Sequence, residues 1–172
     1  MRVGKIRVFL PLKKVGEKES LSFSFTLSLL VFIHHLYICV FQCLFLFCCR
    51  PCIKRQMIDV LAEGYDPENV DIAQPAVTVE DWYCSRTDCG CVYMLTVSLL
   101  DEDKEVITEF KLDEVTIDPD CDDCSWKKVS HTFTDYGPGL RFISFEHGGQ
   151  DTKYWRGWFG VRVTGSSVTI DF

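Results

Sequence analysis

The chain has 172 residues, 47% of them apolar, a size that holds one ordinary domain and excludes a multidomain enzyme. A formal net charge of −7 argues against nucleic acid, whose phosphates call for clustered Lys and Arg. The average hides a split: residues 1–53 carry seven basic and two acidic side chains, a balance of +5, and residues 54–172 carry −12.

Residues 1–53 read as a hydrophobic leader. No charged residue lies between Glu19 and Arg50, and residues 21–49 are long enough to cross a bilayer, which takes about 20 apolar residues as a helix. His34 and His35 are costly at membrane depth. A cleavable signal fits worse, because its apolar core is about 7–15 residues and ends at small residues. If the run spans, the basic residues before it predict a cytosolic N-terminus and an exoplasmic C-terminal domain. The plainer expectation is different. Phe, Leu, Ser and Cys share pyrimidine-rich codons, so the residues up to about Pro51 look like translation through the end of an intron from a misplaced start.

Beyond the leader, residues 55–64 place Met57, Val60 and Leu61 at helical spacing before Gly64, which predicts one or two helical turns. The period then changes to two. Strands are predicted over residues 76–79, over residues 91–100 as an apolar run buried on both faces, and over residues 105–112. In the last of these Val106, Thr108, Phe110 and Leu112 share one face, and Ile107, Glu109 and Lys111 the other. Residues 126–134 put Val129, His131 and Phe133 on one side, and Tyr136-Gly137-Pro138-Gly139 is a turn by composition. Residues 140–147 and 160–172 supply the last strands, the latter broken near Gly165. At least six short strands at near-regular spacing mean a β sandwich or barrel.

Several constellations invite chemistry. Cys84, Cys89, Cys91, Cys121 and Cys124 could be arranged around zinc or paired as disulfides, but the spacing is loose and free thiols are the expectation. Asp118, Asp120, Asp122 and Asp123 resemble the opening of a calcium loop, yet the loop lacks its sixth-position Gly and has Val129 where the twelfth-position Glu belongs. Glu146, His147 and Asp151 would be the carboxylates and base of a glycosidase, with nothing to fix their separation. No Gly-rich phosphate loop joins a strand to a helix. The expectation is therefore a non-catalytic protein with no metal and no cofactor. Residues 148–160 are the most informative stretch, with four Gly and four aromatics in thirteen residues read as a loop between strands. Rings held on such a loop make a platform for the apolar C–H face of a pyranose, with polar neighbours for its hydroxyls.

The string from His131 to Phe142, continued by Phe145-Glu146-His147-Gly148-Gly149-Gln150-Asp151 and by Tyr154-Trp155-Arg156-Gly157-Trp158-Phe159-Gly160, closely resembles the F-box-associated (FBA) domain of the sugar-recognising F-box proteins. Residues 54–65, Gln74-Pro75-Ala76, Glu80-Asp81-Trp82-Tyr83 and Asp88-Cys89-Gly90-Cys91 match as well. The resemblance runs from about Cys52 to the end, so the expected organisation is a leader over residues 1–53 and the C-terminal portion of an FBA domain over residues 54–172.

What the resemblance implies is a mainly β fold, an antiparallel β-sandwich of the galactose-binding-like jelly-roll kind, whose loops at one end bind the chitobiose core of high-mannose N-glycans. The family serves as substrate adaptors of Skp1–cullin–F-box (SCF) ubiquitin ligases in the cytoplasm, delivering misfolded glycoproteins in ER-associated degradation (ERAD). By position, Tyr154 and Trp155 would stack on and wall the sugar pair, and Asp88 would accept hydrogen bonds from its hydroxyls. Arg156 stands where sugar-binding relatives often have Lys, with the same charge but a planar fork. Three departures accompany the match. The F-box helices that dock Skp1 and the opening strands of the domain are expected to be missing, which would leave an exposed edge, and Gly165 replaces the usual Asn. The alternative reading is a membrane-anchored receptor like the nonspecific cytotoxic cell receptor protein of fish, which uses a related domain and would suit a spanning helix over residues 21–49.

Overall fold

A computed structural model of the chain describes residues 4–6, 51–153 and 160–171. The spanning helix expected over residues 21–49 lies outside them, as do Tyr154, Trp155 and Arg156. Among the described residues no helix is long and apolar enough to cross a membrane.

The elements run β1 (Gly4–Ile6), β2 (Cys52–Asp59), α1 (Pro67–Ala73), β3 (Ala76–Cys84), β4 (Cys91–Leu100), β5 (Val106–Lys111), β6 (Val115–Ile117), β7 (Lys127–Phe133), β8 (Phe142–Asp151) and β9 (Arg162–Asp171). One sheet has the order β1-β9-β3-β7, and the other β2-β8-β4-β5 with β6 also on β4. Every pairing is antiparallel. From β2 to β3 to β4, and from β7 to β8 to β9, the chain switches sheets at each step, the connectivity of a jelly-roll sandwich. The mainly β sandwich expected above is the fold.

Alternation builds the core. On β3, Val77 and Val79 point inward with Asp81 and Tyr83; on β4, Tyr93, Leu95, Val97 and Leu99 do so; Ile143 and Phe145 of β8 and Val168 and Ile170 of β9 complete the interior. Each fully buried aliphatic or aromatic side chain contributes about 1.5–3 kcal/mol by leaving water. Burial on both faces, expected for all of residues 91–100, holds only over residues 97–100; Val92, Met94 and Thr96 are half-buried and alternate with the inward residues. The last strand runs unbroken through Gly165, which takes φ 64° where the β3–β9 register shifts between Glu80 and Trp82.

Three local expectations are corrected. Residues 55–59 are not helical but belong to β2, whose Ile58 faces the core beside Ile143 while Met57 is exposed. Only the turn after it has helical character: the Asp59 carboxylate accepts from the amides of Leu61 and Ala62, and Gly64 ends it at φ 94°. A helix forms instead at α1, where Asp66 caps the amide of Asn69 and Pro67 occupies the first turn. On β5 the expected face is broken by a bulge: Leu99 opposes Thr108 and Leu100 opposes Val106, so Ile107 packs toward the core and Val106 is exposed. Finally, Gly148 to Asp151 are strand, not loop. A Cβ on Gly148 would lie 2.0 Å from the Cys52 carbonyl oxygen, and one on Gly149 1.8 Å from that of Val92, so these glycines let β2 and β4 close on β8 from both sides.

The strand β2 starts at Cys52, and Gly4–Ile6 pairs with Ile170–Val168 at the outer edge of β9, so residues within the segment read as a leader take part in both sheets.

Candidate functional site

Three connections meet at one end of the sandwich: residues 85–90 between β3 and β4, residues 118–126 between β6 and β7, and the described start of the β8–β9 connection, Thr152 and Lys153. Asp88 sits on the first of them. Arg86 clamps its carboxylate in a fork, Nε donating to Oδ1 and Nη2 to Oδ2, both at 2.6 Å. That fork holds the Asp88 carboxyl at about 2, far below the ordinary carboxylate range, with the Arg86 charge and that of Lys153 adding to it. Asp88 is thus a solvent-facing, permanently ionised acceptor at neutral pH, its side chain 53% exposed.

The first and third connections are stitched together. Lys153 donates from Nζ to the backbone carbonyl of Asp88 at 2.6 Å, and the Thr152 amide donates to the carbonyl of Gly90 at 3.0 Å. Gly90 makes this approach possible, because a Cβ there would stand 2.7 Å from both Thr152 Oγ1 and the Ile117 carbonyl. The buried Asp151 closes the far side by accepting the Lys153 amide. Asp88 therefore stands against the residue that immediately precedes Tyr154, Trp155 and Arg156, which themselves lie outside the described residues.

The other constellations fall apart in space or are internally satisfied. Glu146 pairs with Arg55 on the outer face of its sheet, whereas His147 points into the core. In the acidic connection, Asp122 accepts from Lys127 and from the Asp118 amide, and Asp123 from Ser125. Among the described residues no three His, Cys, Asp or Glu side chains are grouped to hold a metal ion. The described cysteines are free thiols. Burial pushes Cys91 up to about 12.

Behind the loops lies a polar cluster that the sequence reading passed over. Asp81 is fully buried between the sheets and accepts four hydrogen bonds. Tyr93 Oη and His147 Nδ1 meet its Oδ2 at 2.6 Å, and Ser166 Oγ at 2.8 Å and the Trp82 amide at 3.0 Å donate to Oδ1. Burial and the adjacent carboxylate push the Tyr93 phenol far above its ordinary range, so it remains a donor. The available signal was an Asp at an inward position of the alternating run Val77, Val79, Asp81, Tyr83.

A family model described as the F-box associated region matches residues 35–170. The chain belongs to that family. Bovine F-box only protein 2 is 58% identical over 120 residues, which is 70% of this chain and 40% of the relative. Rat F-box only protein 6 is 47% identical over 119 residues, 69% of this chain and 42% of the relative. The chain thus spans about two fifths of the length of these curated relatives. Among solved structures, the CBM22-1 xylan-binding domain of Paenibacillus barcinonensis Xyn10C is 8% identical with a TM-score of 0.37, covering 67% of this chain and 63% of that one, a likeness too faint to bear on ligand. The receptor alternative gains no support from these FBA relatives, each an F-box only protein.

Proposed function

We propose that this FBA domain is a non-catalytic binding module whose loop end takes the chitobiose core of high-mannose N-glycans on misfolded glycoproteins. The observation that supports it is the stitch between Asp88 and Lys153, because it sets an ionised acceptor beside the base of the Tyr154-Trp155-Arg156 segment. A GlcNAc pair needs both parts: a ring face to stack on, supplied by Tyr154 and Trp155, and acceptors and donors for its hydroxyls and acetamides, supplied by Asp88 and Arg156. In this reading the domain is the substrate-binding half of an SCF-type adaptor acting in the cytosol in ER-associated degradation, and Skp1 docking falls to the F-box of the full-length relatives. No metal or cofactor takes part.

The test is retention of the full chain on an immobilised high-mannose glycoprotein. Free chitobiose should compete, and Trp155→Ala should abolish retention, since losing one stacked ring costs roughly 1–3 kcal/mol by analogy with bases stacked on aromatic side chains. Folded protein that is not retained, or a Trp155→Ala variant that binds as well as the parent, refutes the assignment.

A further inference from the structure

We propose a second ligand site away from the loops: the outer face of the β9-β3-β7 sheet around Trp82, fitted to an uncharged pyranose. It does not rest on the chitobiose reading of the loop end. Alternation along β3 turns Val77, Val79, Asp81 and Tyr83 inward, so Thr78, Glu80 and Trp82 point out. On its β9 side the Trp82 ring meets no side chain at Gly165. A Cβ there would stand 3.0 Å from Trp82 Cδ1 and 3.7 Å from Cγ and Nε1, so the indole rests on the bare backbone of the bulge, where Gly165 takes φ 64°. The side chain is 37% exposed, and its indole N–H has no hydrogen-bond partner among the described residues. On the β7 side Lys128, opposite Trp82 in register, brings Nζ to 6.0 Å from the ring centroid and pairs with Glu80 at 2.6 Å. A second indole, Trp126, is 42% exposed two residues before Lys128.

Charge and surface chemistry select the occupant. Residues 54–172 carry −12, yet on this face one Lys and one Glu cancel. A charged ligand would have to part that pair, whereas a neutral one can use both members, Glu80 as acceptor and Lys128 as donor. From Thr78 to Trp82 on β3 and from Lys128 to Thr132 on β7 every outward residue is polar or aromatic. The Thr78 and Thr132 hydroxyls already share a hydrogen bond of 3.0 Å, and Thr164 stands beside Trp82 on β9. A protein partner with an apolar patch would find no aliphatic side chain there to bury against. A pyranose needs the combination that is present: a ring for its C–H face, with a free N–H, an ammonium and a carboxylate at the rim for its hydroxyls.

The experiment titrates the isotope-labelled full chain with mannotriose and follows the indole N–H resonances, assigned through single Trp→Phe variants. Mannotriose is uncharged and contains no GlcNAc, so the result is independent of chitobiose, which is titrated separately and read at the Asp88 amide. Saturable shifts are expected at the Trp82 and Trp126 indoles and at the Lys128 amide. Trp82→Ala should weaken mannotriose by about tenfold, on the scale of one lost stack. Gly165→Asn tests the resting place of the ring: Asn accepts the left-handed φ, but its Cβ crowds Cδ1 and shifts the indole, so affinity should fall several-fold. Shifts that never saturate, shifts that spare Trp82, or parent-like affinity in either variant overturn the proposal. Should Trp82→Ala not fold, Trp82→Phe, which keeps a ring and loses the N–H, is judged by the same criteria. A mannotriose response at Trp82 without a chitobiose response refutes only the loop-end reading, and the reverse refutes only this one.

Discussion

Lys153 and Asp88 are joined through a main-chain atom: the Lys153 ammonium donates to the Asp88 backbone carbonyl, which leaves the Asp88 carboxylate to Arg86 and to solvent. Two residues 65 positions apart therefore share one small surface without spending the acceptor that a ligand would use. Behind that surface the Asp81 cluster ties the supporting strands.

The Arg86 fork makes a prediction about pH. A carboxyl held at about 2 stays ionised through the whole range in which proteins are ordinarily studied, so chitobiose binding should stay level from pH 7 down to about pH 4 as far as Asp88 is concerned. In Arg86→Gln the main cause of the depression is gone, the carboxyl returns toward the ordinary value of about 3.9, and binding should begin to fall near pH 5 with a midpoint close to pH 4. Titration calorimetry across that range checks it; superimposable pH profiles for parent and variant would show that Asp88 contributes no charged acceptor.

A second charge pair sits at the opposite end. Arg141 grips Asp71 with two hydrogen bonds of 2.9 Å, and the Gly139 amide adds a third at 2.8 Å, holding the Asp71 carboxyl at about 2. Since the folded value lies below the unfolded one, the stabilisation is complete above the unfolded value and is lost as pH falls through the window from about 4 toward 2. Asp71→Asn should cost about 1–2 kcal/mol at pH 7, a figure kept small because the pair is partly solvated. Urea unfolding should show parent and variant converging as pH drops below 4, with glycan retention at neutral pH unchanged.

The strands β3, β5, β7, β8 and β9 were legible from alternation and β4 from its apolar run, whereas the three-residue β6 is too short to show a period. The segments that misled were those where a second signal overrode alternation. Met57, Val60 and Leu61 imitate a helix by spacing, yet Met57 and Leu61 are exposed, and the inward residues Ile58 and Val60 obey period two. The short α1 buries only Val70, too little for a periodic signal, and announces itself solely by its Asp66-Pro67 start. Gly148-Gly149 has the composition of a loop, whereas the close approach of two flanking backbones makes it strand. At the site, Asp88 was found through a resemblance. Its contacts with Lys153, and the convergence of Tyr93, His147 and Ser166 on Asp81, depend on strand order, which no local pattern encodes.

Gly149→Ala tests the close approach directly. Its φ of 158° and a Cβ 1.8 Å from the Val92 carbonyl leave no room for a methyl group, and the obstacle is backbone, which cannot swing aside. Prying β4 from β8 splits the central pair of the sheet, so the expected cost exceeds about 3 kcal/mol. Gly137→Ala, at a turn with nothing within 4 Å of the added carbon, pays only for its φ of 82° and should lose about 1 kcal/mol. Comparable melting temperatures for the two variants would contradict the packing.

The cysteines offer the last test, because burial and reactivity should separate them. Thiolate is the reactive form, and the Cys91 thiol, desolvated and surrounded by Cys84, Cys89 and Cys124, is pushed up to about 12. At pH 8 it is protonated as well as enclosed. Burial also raises Cys89, which spends its proton on the Gly90 carbonyl. Cys121 is exposed on the acidic connection. Brief iodoacetamide treatment of the folded chain at pH 8, read by peptide mass spectrometry, should label Cys121 ahead of Cys84, Cys89 and Cys91, which react only after denaturation. Early labelling of Cys91 would mean that the loop end opens in solution, and with it the stitch between Thr152 and Gly90 on which the candidate site depends.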